Sequence, residues 1–248
     1  MGLYDMPYRM PSWRASIGVI ACSGENIAER QFAKVLPEGV VAHFTRISRK
    51  KPVEVTLEDM ILGERLKNAA ILIADAKPDL IVFDDHSWSF EKGVGWDETI
   101  ARRITEVTGI PAVTMTTGVV AALKTLNVSK IAAIGPWNGD KVQKLKDFHK
   151  GHGIDIINYN YIPPEILLNI PDHAYYKLLK NVNVPEAEAL LACFSGERSL
   201  EAIDALEKDL CKPAIGAIQA TIWYALQKIG IREPINGYGI LLRTQLKE

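Results

Sequence analysis

Two apolar segments far apart in the chain share a pattern that restricts the fold more than any other feature. Leu80–Asp84 and Ala189–Cys193 are apolar at nearly every position. Asp85, directly after the first segment, and Cys193, at the end of the second, occupy corresponding positions. Strands that are apolar throughout, rather than at alternate positions, are typical of parallel sheets covered on both faces. The pattern therefore predicts two buried strands, each ending on a residue that can transfer a proton.

The likeness between the two halves extends beyond these strands. Ile17–Cys22 parallels Ile131–Pro136, and in both halves the proton-transferring residue precedes a helix, a strand led by proline and another helix. Internal repeats indicate a fold built from similar units. We predict an α/β protein of two similar lobes, each a parallel β-sheet flanked by helices. The lobes are related by a pseudo-two-fold axis, with the active site between them.

The predicted first lobe comprises residues 1–122 and 223–248, and the second comprises residues 123–222. A helix over Leu57–Ala76 is predicted to begin at a capping box formed by Thr56 and Asp59. Another over Trp96–Val107 is predicted to end at Gly109. The predicted strands are Ile17–Cys22, Val40–Ile47, Leu80–Asp84, Ala112–Met115, Ile131–Gly135, Ile154–Tyr159, Ala189–Cys193 and Ala214–Ala217.

Composition narrows the class of protein. With 248 residues, 48% of them hydrophobic, the chain can bury a sizeable core. A net charge of -1 gives no electrostatic footprint for nucleic acid, so no such partner is expected. The sequence shows neither a membrane span nor a signal peptide. Its three cysteines lack C-x-x-C spacing, which favours the reducing cytoplasm and argues against a metal site.

Two common enzyme signatures are missing from the sequence. The segment Ala21–Asn26 lacks the glycine-rich fingerprint of dinucleotide-binding proteins, and the chain contains no G-x-S-x-G elbow of serine hydrolases. Ligands of parallel α/β sheets bind outside the carboxyl ends of the strands. The residues predicted at those ends are Cys22, Asp85–Ser89, Thr116, Thr117, Pro136, Trp137, Cys193–Gly196 and Gln219.

Several of these segments resemble one enzyme family, that of arylmalonate decarboxylase and the maleate cis-trans isomerases in the aspartate/glutamate racemase superfamily. The resemblance extends from Ile17 to about Gly239. It is carried by His86–Gly93, Val113–Leu123, Leu190–Cys193 and Ser199–Ile203. It implies chemistry without a metal or organic cofactor, at a carbon next to a carboxylate, on a small carboxylate substrate.

The resemblance also implies roles for the two strand-end residues. Racemases and isomerases of this superfamily carry one cysteine in each lobe. Arylmalonate decarboxylase lacks the first, and its remaining cysteine protonates the enediolate left when carbon dioxide departs. Cys193 matches the second-lobe cysteine, and Asp85 stands at the first-lobe position. Asp85 is either a second acid–base group or a cap of the loop before His86.

The other family positions match only in part. Ser87 matches a serine that holds a carboxylate, whereas His86 replaces a threonine and either donates to an anion or pairs with Asp85. Trp137 stands where the family has a tyrosine. Amides of Phe194 and Ser195 are expected to bind an oxyanion and to lower the pKa of Cys193.

The remaining candidates have a structural alternative beside the functional one. Thr116 and Thr117 either cap a helix or contact an anion at its positive end. Cys22 either lines the pocket or simply ends a strand, and Arg46 is either a carboxylate ligand or a solvated charge. Cys211 is expected to be structural.

Three functional hypotheses follow. The leading one is decarboxylation of a malonate-type acid with Cys193 as proton donor, and the second is racemisation or cis-trans isomerisation with Asp85 and Cys193. The third is a small-ligand-binding protein without catalysis, since Asp85, His86 and Trp137 depart from the family pattern. A symmetric homodimer is the default expectation for a cytoplasmic enzyme.

Overall fold

The computed structural model describes residues 12–48, 56–167 and 169–246 of the chain. Its eight strands agree with the predicted ones within two residues at each end. They are β1 (Ala15–Cys22), β2 (Val40–Ile47), β3 (Leu80–Asp84), β4 (Ala112–Thr114), β5 (Lys130–Gly135), β6 (Asp155–Tyr161), β7 (Ala189–Ala192) and β8 (Ala214–Gly216).

Helices fill the connections between these strands. They are α1 (Ala28–Val35), α2 (Leu57–Leu62), α3 (Glu64–Ala74), α4 (His86–Phe90), α5 (Trp96–Thr108), α6 (Met115–Thr125), α7 (Gly139–Gly151), α8 (Pro164–Leu167), α9 (Ala174–Val182), α10 (Leu200–Leu210) and α11 (Ala217–Lys228). None of the described helices is long and apolar enough to cross a membrane.

The strands form two four-stranded parallel sheets with the same arrangement. The first has the order β2-β1-β3-β4 and the second the order β6-β5-β7-β8, so the corresponding strands of the two lobes occupy corresponding places. The sheet strands β1, β3 and β7 are buried along their whole length, as their uninterrupted apolar sequences require. The predicted fold class is confirmed.

One predicted helix was wrong in its extent. The capping box at Thr56 is present, since its side chain accepts a hydrogen bond from the amide of Asp59. The helix nevertheless ends at Leu62, and a new one begins at Glu64. Gly63 has an extended ψ of -162°, and a Cβ there would lie 2.1 Å from the carbonyl oxygen of Asp59. The apolar periodicity continues across this break, which is why the sequence pattern concealed it.

The two lobes share a core and pack at several points. Helix α11 follows the last strand of the second sheet but packs on α6 and on β3 of the first. Helix α4 of the first lobe contacts α7 of the second. One core cluster includes residues from both sheets, and a smaller one lies on the α2, α3 and α5 side of the first sheet. These contacts bring the carboxyl ends of β3 and β7 to one place.

Candidate functional site

Asp85 lies just beyond β3 and is a fixed, buried carboxylate. It is the N-cap of α4, where its Oδ1 accepts a hydrogen bond from the amide of Trp88 at 2.6 Å and from Ser87 Oγ at 3.0 Å. Its Oδ2 accepts one from the thiol of Cys22 at 3.0 Å. The capping role weighed from the sequence is therefore real. This role keeps the carboxylate just beyond β3, at the position that corresponds to Cys193 in the second lobe, where it accepts three hydrogen bonds.

Cys193 lies at the end of β7 and is a buried thiol that donates to the carbonyl oxygen of Ile134 at 3.1 Å. Burial raises the pKa of Cys193 well above its ordinary value. A hydrogen bond from the backbone of Cys193 lowers this pKa, but the cost of burying a thiolate exceeds that effect. A lowering by the amides of Phe194 and Ser195 stays a prediction. Cys193 is consequently a protonated group, which is the form that a proton donor needs.

His86 joins the two strand ends directly. Its Nδ1 contacts the carbonyl oxygen of Cys193 across the lobe boundary, so it does not pair with Asp85. Its Nε2 has no hydrogen-bond partner among the described residues, and its ring packs against Trp137 with centroids 5.6 Å apart. Burial lowers the pKa of His86 to about 4. The imidazole is therefore neutral and does not offset the charge of Asp85.

A cavity of about 210 Å³ lies between loops of both lobes, at the loop that follows Cys193. Phe194 and Ser195 line it from the second lobe and Glu25 from the first. The amides of Phe194 and Ser195 make no hydrogen bond to any described residue. Free amides in consecutive positions form an anion-binding concavity. The loop that follows Cys193 thus presents free amide donors to the cavity.

The sequence of the chain matches the profile of one family, described as arylmalonate decarboxylase, over residues 56–242. The chain belongs to the arylmalonate decarboxylase family. A maleate isomerase of Geobacillus stearothermophilus is 23% identical over 250 residues, which cover 91% of this chain and 96% of that one. The predicted membership is confirmed, and with it an enzyme of the lyase or isomerase type.

Solved structures of this family share the fold. A variant of the maleate isomerase Iso from Pseudomonas putida S16, crystallised with maleate, has a TM-score of 0.85 at 20% identity and covers 94% of this chain and 99% of its own. A crystal structure of arylmalonate decarboxylase has a TM-score of 0.78 at 20% identity, covering 93% and 100%. The two-lobed architecture is therefore that of the family.

Tyr159 is a site residue of this family member that the sequence did not reveal. A Cβ on Gly135 would lie 2.8 Å from its hydroxyl and 2.9 Å from Cys193 Sγ, so both groups flank the same glycine. The hydroxyl oxygen accepts a hydrogen bond from the amide of Trp137 at 3.2 Å, which leaves its own proton to donate. The second lobe thus supplies a tyrosine hydroxyl, while Trp137 supplies a backbone amide and a ring.

A shift in strand register explains why Tyr159 was missed. Strand β6 pairs with β5 through a bulge between Ile131 and Ala132, so that Ile157 is skipped in the pairing. A shift of one residue exchanges the two faces of a strand. The face on which Tyr159 lies could therefore not be inferred from alternation, and the position of its half-buried hydroxyl follows only from the pairing of the strands.

The first-lobe hydroxyl candidates divide into two groups. Thr116 lies by the site, where its hydroxyl donates to the carbonyl oxygen of His86 at 3.2 Å. Thr117 does not join it, since its hydroxyl donates to Asp97 at 2.7 Å and its amide to Thr114 at 3.2 Å. Ser87 is committed to Asp85. The hydroxyls of Thr116 and Ser87 therefore position other groups of the site.

The remaining candidates lie at the rim or away from it. Arg46 forms an ion pair with Glu29 at 2.7 Å and donates to the carbonyl oxygen of Glu25 at 3.2 Å. Cys211 is exposed at the end of α10, where its φ is 52°. The described residues hold no group of three or more side chains suited to a metal ion.

Three further carboxyl groups are buried between the strand ends. Asp84 has no hydrogen-bond partner on either oxygen among the described residues, and burial raises the pKa of its side chain well above the ordinary value. Burial raises the pKa of Glu197 to about 7 and also raises that of Glu25. Charge repulsion from Glu25 and Glu197 adds to the effect on Asp84. Of these three groups, Glu25 is the one that lines the cavity.

Proposed function

We propose that this protein decarboxylates a small malonate-type acid and that Cys193 protonates the resulting enediolate. The observation that carries the proposal is the buried, protonated thiol at the end of β7, beside free backbone amides. Family membership supports a reaction of this kind. A thiol with a raised pKa favours proton donation over thiolate attack on a double bond.

The reaction divides into two steps. First, the bond between the α-carbon and one carboxylate breaks, carbon dioxide leaves, and the electron pair remains as an enediolate. The amides of Phe194 and Ser195 stabilise the developing oxyanion. Second, the Cys193 proton moves to the α-carbon, and solvent returns a proton to the thiolate. Tyr159 donates a hydrogen bond to that thiolate in this proposal, which is supported by the hydroxyl and the sulfur both flanking Gly135.

Proton NMR in deuterated water tests this proposal. We expect a panel of aryl- and alkylmalonates to contain compounds that lose carbon dioxide and gain one deuterium at the α-carbon. Cys193→Ala should lower the rate about a hundred- to ten-thousand-fold, the range for loss of a general acid. Cys211→Ser is the matched control, since it removes the exposed thiol and should leave the rate unchanged.

Racemisation or cis-trans isomerisation is the second candidate. It is favoured by the carboxylate of Asp85 at the matching end of the first lobe and by the likeness to maleate isomerases. In racemisation, Asp85 removes a proton from one face of the α-carbon and Cys193 delivers one to the other. In cis-trans isomerisation, the Cys193 thiolate adds to one carbon of the double bond and the electron pair moves into the adjacent carboxylate; after rotation about the single bond, the pair returns and the thiolate leaves. Deuterium exchange or isomerisation of maleate and amino acids, with no carbon dioxide released from any malonate, would replace the first candidate by this one.

A further inference from the structure

The cavity between the two lobes contains a buried carboxyl group that the proposed chemistry does not use. Glu25 lines the cavity and is 6% exposed. Its Oε1 accepts hydrogen bonds from the amides of Ile27 and Ala28 at the start of α1. Its Oε2 accepts none from any described residue. A buried acceptor without a donor is costly, so this oxygen is a place for a ligand donor.

Donors and an acceptor lie on the same wall of the cavity. The free amides belong to Phe194 and Ser195, and the next residue, Gly196, is so placed that a Cβ would lie 3.8 Å from Glu25 Oε1. A ligand that satisfies both sides needs an anionic oxygen for the amides. It also needs an N–H or ammonium group, a short distance away, for Glu25 Oε2.

The charges around the cavity favour a cationic donor. Asp84 and Glu29 lie close enough to Glu25 for their charges to repel its carboxylate. The cation that faces Glu25 from β2 is Arg46, whose guanidinium is already paired with Glu29 and bound to a loop carbonyl. An ammonium group on the ligand would offset this acidic environment, whereas an additional carboxylate would be repelled.

We infer that the cavity selects acids whose α-carbon bears an amino group, with Glu25 accepting its N–H and the amides of Phe194 and Ser195 holding its carboxylate. The decarboxylation of such a substrate rests on the proposed function, whereas the binding of the substrate in the cavity does not. Aminomalonate is therefore the natural probe, and methylmalonate is its matched counterpart. The two have nearly the same size and both carboxylates, and they differ in the ammonium group.

Calorimetric titration of the Cys193→Ala protein tests the binding without turnover. We expect aminomalonate to bind about 10- to 100-fold more tightly than methylmalonate, as one charge-assisted hydrogen bond provides. Glu25→Gln should bring the two affinities within a factor of about three, because the carboxylate charge is lost. Glu38→Gln removes the same charge from an exposed position outside the cavity wall and should preserve the preference.

Equal affinities in the parent protein, or a preference that survives Glu25→Gln, would overturn the inference. Release of carbon dioxide by the enzyme with Cys193 intact is measured separately on both malonates. If methylmalonate loses carbon dioxide but aminomalonate does not bind more tightly, the proposed function is supported and the selectivity for amino-substituted acids is contradicted. An aminomalonate preference in binding, without decarboxylation of either compound, would support the selectivity of the cavity and contradict the proposed function.

Discussion

At the scale of single residues, Glu197 is predicted to make the protein less stable as the pH rises. Its carboxyl group is buried and accepts hydrogen bonds from the amides of Ser199 and Ile218, yet burial raises its pKa to about 7. Its contribution to stability is therefore present below the ordinary value of 4.5 and is lost as the pH rises through about 7. The expected loss is about 3 kcal/mol.

Urea unfolding of the native protein and Glu197→Gln between about pH 5 and about pH 8 measures this contribution. The variant should show the smaller decline in the free energy of unfolding. His86 and His149 have pKa values lowered by burial to about 4 and about 3, so they act in the opposite direction, losing stability as the pH falls below 6.5. Both are present in both proteins and cancel in the difference. Parallel pH profiles would contradict the prediction.

The residue types at the strand ends were predictable, whereas their chemical states were not. Asp85 and Cys193 follow uninterrupted apolar strands, and that pattern is local in sequence. The partner of His86 and the raised pKa of Cys193 depend on how the lobes meet. Tyr159 depends on a bulge in a neighbouring strand. A sequence pattern shows which face of a single helix or strand is apolar. The contacts of His86, Cys193 and Tyr159 depend instead on how two elements pack against each other.

At the scale of secondary structure elements, the end of β5 is predicted to fix the position of the Cys193 sulfur. Gly135→Ala would introduce a Cβ within 3 Å of both Cys193 Sγ and the Tyr159 hydroxyl. Both are the ends of side chains, so we expect them to move while the fold is kept. The rate of decarboxylation should fall about 10- to 100-fold, since small displacements of reacting groups are costly. An unchanged rate, together with an unfolding curve like that of the native protein, would show that Gly135 does not fix the position of the Cys193 sulfur.

Helix α6 carries two adjacent threonines for which we predict different roles. Thr117→Val breaks the hydrogen bond to Asp97 and should lower the free energy of unfolding by about 1 kcal/mol, with little effect on turnover. Thr116→Val removes the bond to the His86 carbonyl and should reduce turnover, because α4 carries Asp85 at its N-cap. Urea unfolding and initial rates of both variants distinguish these outcomes. Equal losses of turnover would show that Thr117 acts at the site after all.

At the scale of the whole molecule, the site lies in a closed cleft. Cys193, Asp85 and His86 are buried, and ion pairs cross between the lobes on two sides. One set joins Lys34 of α1 to Glu201 of α10, and another joins Glu91 to Lys144 of α7. Exposed ion pairs of this kind contribute little stability. They are suited to a boundary that opens and closes, and a substrate that must contact Cys193 requires such opening.

Covalent connection of α1 to α10 is therefore predicted to block turnover. Lys34→Cys and Glu201→Cys, introduced together with Cys211→Ser, can be joined by a bifunctional thiol reagent that contains a disulfide. The joined protein should lose most of its decarboxylation rate, and a reductant should restore it, because substrate access then depends on the released boundary. Each single cysteine variant, treated in the same way, controls for modification alone. Full activity in the joined protein would mean that substrate reaches Cys193 without separation of these two helices. The moving elements would then be α4 and α7, on the other side of the cleft.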